Sequence, residues 1–110
     1  MAKTVEDAIT VHKTEIVFFD KAEERHYRLN IENITKIVFD YQVRKLFFGL
    51  KKELVERIVF YIHDPDIPEV LEVWEHEEAN FRRFRGGLRT FVDDNKVALE
   101  IFDAEGNPQK

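Results

Sequence analysis

A run of four closely spaced arginines marks the second half of the chain: Arg82, Arg83, Arg85 and Arg89. Arginine pairs bidentately with phosphate oxygens through its planar fork of donors. With Phe84 inside the run, these residues form a candidate site for a phosphate group of RNA or of a headgroup. The sequence leaves a second interpretation open, in which the run is a solvated helix face. Its arginines would then pair with acids one turn earlier, as the spacing of Glu78 and Arg82 allows.

A second group of cations lies near the middle of the chain. Lys51 and Lys52 follow Arg44 and Lys45 at a short distance in sequence. Lys51 and Lys52 are therefore further candidate anion-binding residues, which would extend a basic surface. The alternative is a solvent-facing hairpin end, where lysines discourage pairing with another strand.

Other chemistry finds little support in the residue types. The chain contains neither cysteine nor serine, which excludes disulfides, thiolate metal sites and serine or thiol nucleophiles. Potential metal ligands cluster by type in His63, Asp64 and Asp66 and in Glu72, Glu75 and His76. Their order does not match a known ligand motif, and His12 and His26 lack a neighbouring nucleophile. We therefore expect no catalytic residues, no metal and no cofactor, and predict that the protein is not an enzyme.

The longest periodic segment predicts the element that positions the arginines. Apolar residues recur at steps of three and four, the period of one helical face: Val70, Leu71, Trp74, Phe81, Phe84, Leu88, Phe91 and Val92. Together with prolines near its start, this pattern predicts one long helix over about 67–94, with Trp74 in the core. Gly86 and Gly87 oppose helix by roughly 1 kcal/mol each. The alternative ends the helix at Arg85 and pairs 88–92 with 97–102 as a hairpin, but we favour the continuous helix.

Before this helix the sequence predicts short strands. Their ranges are Ala8–His12, Glu15–Asp20, His26–Ile31, Thr35–Gln42, Arg44–Leu50 and Glu56–His63, with a further short strand at Val97–Phe102. Alternation places Tyr27, Leu29 and Ile31 inward. Six successive strands followed by one long helix predict an α+β fold, in which an antiparallel β-meander curls into a sandwich or open barrel and the C-terminal helix caps it. We expect one domain over 1–110, with its core at about 8–102 and a tail at 103–110.

The rhythm of these elements resembles the pleckstrin-homology-like fold, in its small bacterial type. The resemblance covers about residues 8–94. It includes an Ile-x-x-Ile corner from Ile31 to Ile34, an aromatic–glycine strand end at Phe48-Gly49, a strand at Ile58–Ile62 and a capping helix. Lipid-binding members of that family use a basic cluster in the first strand-to-strand loop. Here residues 12–15 hold a single lysine next to an acid, so the resemblance does not imply phosphoinositide binding.

Size and charge complete the expectations. The 110 residues carry a net charge of −5, which disfavours general attraction to nucleic acid or anionic lipid while allowing a local patch. With no apolar leader or spanning segment in the sequence, we expect a cytoplasmic protein and no membrane insertion. The function we favour is a non-enzymatic interaction module that binds a protein partner or self-associates. The alternative is a phosphate or nucleic-acid binder that uses the run from Arg82 to Arg89.

Overall fold

A computed structural model describes residues 2–4 (backbone only), 9–77 and 80–109 of the chain. Within these ranges the strands are β1 (Ala2–Thr4), β2 (Ile9–Val11), β3 (Ile16–Asp20), β4 (Arg25–Leu29), β5 (Ile34–Leu46), β6 (Lys51–Ile62), β7 (Val70–Trp74), β8 (Leu99–Phe102) and β9 (Pro108–Gln109). The helix α1 is Phe81–Asn95. The α+β class is confirmed.

The strands form two sheets and not one antiparallel meander. The small sheet has the order β2-β3-β4, and the large sheet has the order β1-β7-β6-β5-β8-β9. Two pairs in the large sheet, β1 with β7 and β5 with β8, are parallel. In the described ranges, strands β2 to β7 pair antiparallel in chain order within each sheet, as β2-β3-β4 and β5-β6-β7, but β4 does not pair with β5. The predicted single meander is therefore wrong, and β8 returns after the helix to lie beside β5. The described strands do not close into a barrel.

The first half of the predicted helix is a strand. Val70–Trp74 pairs antiparallel with β6, and its burial alternates, with Leu71 and Val73 fully buried. Apolar positions in so short a segment fit a period of two as well as a helical period, and β6 offers this segment a complete ladder of hydrogen bonds. The helix begins only at Phe81 and continues through Gly86 and Gly87. Its continuity there is confirmed, and the hairpin alternative is wrong.

The middle of the chain is one long hairpin. The predicted strand Arg44–Leu50 is not separate, because β5 runs to Leu46, a tight turn covers Phe47–Gly49, and β6 begins at Lys51. The pairing of β5 with β6 is continuous from Lys36 with Tyr61 to Leu46 with Lys51. From Lys36 to the turn, unbroken alternation then fixes which residues share a face of the hairpin.

The core lies between the inner face of the large sheet on one side and the small sheet with α1 on the other. Three rings mark the meeting point. The centroid of Phe18 on β3 is 5.2 Å from that of Phe60 on β6 and 6.4 Å from that of Phe84 on α1. Phe60 and Phe84 are 6.2 Å apart. These edge-to-face and tilted contacts join the three elements.

Two side chains and the C-terminal tail differ from what the sequence predicts. Trp74 is half-buried on the face of the large sheet that points away from the core. Ile31 follows β4 in a turn and is exposed, although Tyr27 and Leu29 point inward as predicted. The predicted tail is ordered in part, because Pro108 pairs with Phe102 across a turn that the carboxylate of Asp103 closes.

A buried hydroxyl belongs to the small sheet. Tyr27 Oη donates to Asp20 Oδ2 at 2.8 Å and lies 2.9 Å from Glu23 Oε2. Burial raises the pKa of this phenol well above its ordinary value, and the hydrogen bonds to the two carboxylates raise it further. The folded protein therefore holds the Tyr27 proton at pH values where the unfolded chain releases it.

This shift predicts alkaline destabilisation. A group with a raised folded pKa contributes stability below its unfolded pKa, near 10, and loses that contribution as pH rises toward the folded value. We expect Tyr27 to lower the unfolding free energy by about 1.4 kcal/mol per pH unit above pH ~10. Urea unfolding of wild type and Tyr27→Phe across this range measures the slope. The Tyr27→Phe variant should be less stable at neutral pH, but its unfolding free energy should fall less steeply with pH. Equal slopes for the two proteins would contradict a raised pKa of Tyr27 in the folded state.

Candidate functional site

The hairpin of β5 and β6 projects beyond the elements that cover the rest of the sheet. We call residues 43–54 the arm. Strand β8 pairs with β5 only from Ile37 to Phe39, and β7 pairs with β6 only from Arg57 to Tyr61. In the described part of the chain, the ladder hydrogen bonds of the arm therefore run only between its own two strands, and both of its edges are open.

The arm carries most of the exposed apolar surface. Of the large apolar side chains that are exposed in the described residues, five of seven lie on it: Val43, Phe47, Phe48, Leu50 and Leu54. Phe48 is fully exposed, and Leu50 is 89% exposed. Val43 and Leu54 are opposite each other on the inner face, beyond the last buried residues of that face. A projecting element that carries several exposed apolar side chains is typical of a contact site.

The end of the arm, residues 47–50, is its tip, and its backbone is unusual. Phe47 and Phe48 have φ values of 53° and 57°, in the left-handed region, and Gly49 has a φ of 87°. Leu50 N–H donates to Phe47 O at 3.1 Å and closes the turn. Left-handed backbone costs an L-residue roughly 1–2 kcal/mol, and aromatic residues rarely adopt it. The turn therefore holds two exposed phenylalanines in a conformation that asparagine or glycine would adopt with less strain.

Four cations surround the base of the tip, and we call Arg44, Lys45, Lys51 and Lys52 the collar. Lys45 and Lys52 are directly opposite each other on the inner face of the hairpin. Arg44 and Lys51 point to the other face, by alternation. Arg44 makes a 3.5 Å ion pair with Glu53. Because like charges directly opposite each other destabilise a strand pair, the pairing of Lys45 with Lys52 does not serve the hairpin itself.

The structure thus brings the predicted Lys51 and Lys52 together with Arg44 and Lys45. The helix arginines differ from one another, because two of them form ion pairs with described carboxylates and two do not. Arg85 Nη1 is 2.9 Å from Glu56 Oε2, and its guanidinium lies 5.9 Å from the Phe39 ring centroid. Arg82 Nη2 is 4.0 Å from Glu75 Oε2. The predicted pair of Glu78 with Arg82 lies outside the described residues. Arg82 and Arg85 are therefore engaged with acids of the large sheet and the segment that follows it.

The remaining two arginines are exposed. At about 100° per residue, Arg83 points to a different side of the helix from Arg85 and Arg89. Arg83 lines a cavity of about 460 Å³ between the helix and β2, with Ile9 and Val11. Gly87 lines the same cavity, and a Cβ atom placed on it would lie 3.8 Å from the Cβ of Val11. The four arginines therefore do not converge on one point.

No family model, curated protein or solved structure matches this chain. The pleckstrin-homology-like resemblance stays a prediction.

The residues that resemble metal ligands by type have separate positions. His63 Nδ1 lies 3.0 Å from the Thr35 hydroxyl, and Asp64 accepts from the backbone N–H of Asp66 at 2.9 Å. In the described ranges, the structure brings no three histidine, aspartate or glutamate side chains into a group that fits a metal ion. In those ranges, too, no helix has the length and apolar character needed to cross a membrane.

An ion-pair network covers the outer face of the large sheet at the base of the arm. Arg57 donates from Nη2 to Asp40 Oδ2 at 2.6 Å and from Nη1 to Glu72 Oε2 at 3.3 Å. Trp74 Nε1 donates to Glu72 at 3.0 Å, and its ring lies 5.6 Å from the Arg57 guanidinium. The hydrogen bond to Asp40 is the main reason that the pKa of Arg57 is raised. The network is half-buried and internally paired, which indicates a structural role.

The sequence interpretation missed the tip. The signal was present as two phenylalanines and a glycine between two pairs of cations, Arg44-Lys45 and Lys51-Lys52. That symmetry indicates a basic hairpin with an apolar turn once the turn is placed at Phe48. The apolar pattern predicts a strand over 44–50 instead, with a hairpin end at Lys51 and Lys52, whereas the turn lies at Phe47–Gly49.

Proposed function

We propose that this chain is a non-enzymatic interaction module and that the arm is its contact surface. The observation that carries this proposal is the pair of exposed phenylalanines, Phe47 and Phe48, held in left-handed backbone at the end of a projecting hairpin. Exposed strain of this kind contributes nothing to folding. It has a physical rationale if the two rings are buried against something outside the chain.

The expected gain from such contact is large relative to the strain. Fully burying one phenylalanine side chain stabilises by roughly 1.5–3 kcal/mol, so the two rings and Leu50 together exceed the cost of the left-handed backbone. The rings also need no rearrangement before binding, because the turn already presents them. Burial of the tip side chains against a partner is therefore energetically favourable and requires no prior change of conformation.

A second candidate function is phosphate or nucleic-acid binding by the helix. The observation in its favour is that Arg83 and Arg89 are exposed and have no ion pair within the described part of the chain. Such binding would weaken steeply with salt, since it depends on releasing counterions from phosphates. It ranks second because the helix arginines do not converge on one point.

An amide-resolved NMR titration of the full chain discriminates the two functions. The probes are phosphatidylserine-containing vesicles, a single-stranded RNA, inositol hexakisphosphate, and a concentration series of the chain itself, which reports self-association. We expect the signals of residues 43–54 to shift or broaden with at least one probe, while those of 82–89 stay in place. Changes confined to 82–89 would favour the helix instead, and a spectrum unmoved by all four probes would overturn the proposal.

A further inference from the structure

We infer that the partner of the arm is the surface of an anionic lipid bilayer, which the tip enters to interfacial depth while the collar meets the lipid phosphates. This inference rests on the proposed function and names the partner of the same site. It departs from the sequence-based expectation of no membrane insertion. The contact is interfacial and does not require a spanning segment.

The order of side chains along the arm matches the layers of a bilayer surface. Phe47, Phe48 and Leu50 form the end, and the collar follows within three residues on each strand. Aromatic and leucine side chains favour the boundary between headgroups and acyl chains, whereas lysine and arginine favour the phosphate level above it. From Val43 to the tip the strand spans roughly 13 Å, enough to keep the body of the protein clear of the headgroups.

The distribution of the collar favours a bilayer over a protein partner. Lys45 and Lys52 are on one face of the hairpin, and Arg44 and Lys51 are on the other. A lipid surface surrounds an inserted tip and neutralises cations on both of its faces. A protein that packed against one face of the hairpin would contact the cations of that face only. Of the four, Arg44 alone has a carboxylate partner among the described residues, Glu53 of the arm, at 3.5 Å.

The charge of the whole molecule supports the same orientation. Residues 43–54 hold four cations and one carboxylate, a net charge of +3, in a chain whose net charge is −5, so the remainder carries −8. An anionic membrane attracts the arm and repels the body, because surface potentials act over about a Debye length. The molecule would therefore approach with the arm first.

The test is sedimentation of the full chain with vesicles made of one part phosphatidylserine to two parts phosphatidylcholine. The tip variant is Phe47→Asn/Phe48→Gly, which suits the left-handed turn and should fold at least as well as wild type. Loss of two buried rings should weaken binding roughly tenfold or more. The collar variant is Lys45→Gln/Lys52→Gln, which also removes a like-charge pair. At roughly fivefold per lysine, it should weaken binding about 25-fold.

The matched control is Arg83→Gln/Arg89→Gln, which removes the same charge from the helix. We expect binding within about twofold of wild type, because those residues are not on the arm. Vesicles of phosphatidylcholine alone should bind much less, and free inorganic phosphate should not compete. Equal weakening by the helix variant, or full competition by free phosphate with an unaffected tip variant, would overturn the inference.

A fluorescence measurement locates the tip. The chain has a single tryptophan, so Phe48→Trp in a Trp74→Phe background reports only on position 48. Its emission should shift to the blue on adding the anionic vesicles, and an unshifted emission from bound protein would contradict insertion. If these vesicles do not bind but the arm signals respond to chain concentration or RNA, the bilayer inference fails while the proposed function stands. Absence of any response at the arm would overturn both.

Discussion

Replacing Phe60 by alanine should lower the unfolding free energy by about 3–5 kcal/mol, the range for deleting a buried aromatic ring. Phe60 is fully buried on β6, and its ring contacts Phe18 of the small sheet and Phe84 of the helix. The resulting cavity would lie where the large sheet, the small sheet and the helix meet. A shift of any one of these elements into the cavity would break its contacts with another, so the cavity would stay open. Urea unfolding followed by circular dichroism measures the loss.

Phe48→Ala is the matched control, because it makes the same chemical change at a fully exposed position. We expect its unfolding free energy to stay within about 0.5 kcal/mol of wild type. Comparable losses at Phe48 and Phe60 would mean that the tip is packed in solution, contrary to the structure. A small loss at Phe60 would place the centre of the core elsewhere.

Replacing Arg57 by methionine should cost about 2–3 kcal/mol. The substitution keeps much of the aliphatic volume but removes the only cation between Asp40 and Glu72 in the described network. Two half-buried carboxylates would then lose the guanidinium that neutralises both and, in the part of the chain that the structure describes, would keep only the neutral donors Gln42 and Trp74. Leaving a charge unpaired costs more than losing an average hydrogen bond. Thermal or urea unfolding at neutral pH measures this loss.

Two further variants separate electrostatics from packing. The triple variant Arg57→Met/Asp40→Leu/Glu72→Leu should recover much of the stability, because replacing a whole network by apolar side chains removes the unpaired charges. Arg28→Met breaks an exposed pair with Glu15 and should cost less than ~1 kcal/mol. If the triple variant is no more stable than Arg57→Met alone, then packing of the arginine, and not its charge, stabilises this face.

The sequence predicted elements well where one periodicity dominated. Tyr27 and Leu29 alternate clearly and point inward, and Phe84, Leu88 and Phe91 keep a helical register through the two glycines. The helix prediction failed at Val70–Trp74, because the apolar spacing there fits both the helical period of 3.6 and the strand period of two. This segment forms a strand and not a helix because the edge of β6 offers it backbone hydrogen bonds, and no local sequence pattern encodes that edge. The parallel placement of β8 beside β5 likewise depends on distant residues.

The candidate site was predictable in part. Charge alone indicates Lys51 and Lys52, but the apolar pattern predicts a strand at Phe47 and Phe48, because apolar residues are expected inside. Whether such residues are exposed depends on where the covering helix and small sheet end, which is a tertiary property. The helix arginines are neighbours in sequence, yet helical geometry points Arg83 away from Arg85, so spacing alone overstated their convergence.

The isolation of the arm has a consequence for how this protein can evolve. None of the side chains of the core cluster lies between residues 43 and 54, and the arm shares its ladder with no other described strand. Substitutions of the exposed side chains among these twelve positions, though not of Gly49 with its φ of 87°, therefore change what the molecule contacts with little effect on whether it folds. Homologues that share the rest of the fold could acquire different binding partners by changing the arm alone. An engineered hairpin could be grafted at the same two places, where the arm continues into the rest of β5 and β6.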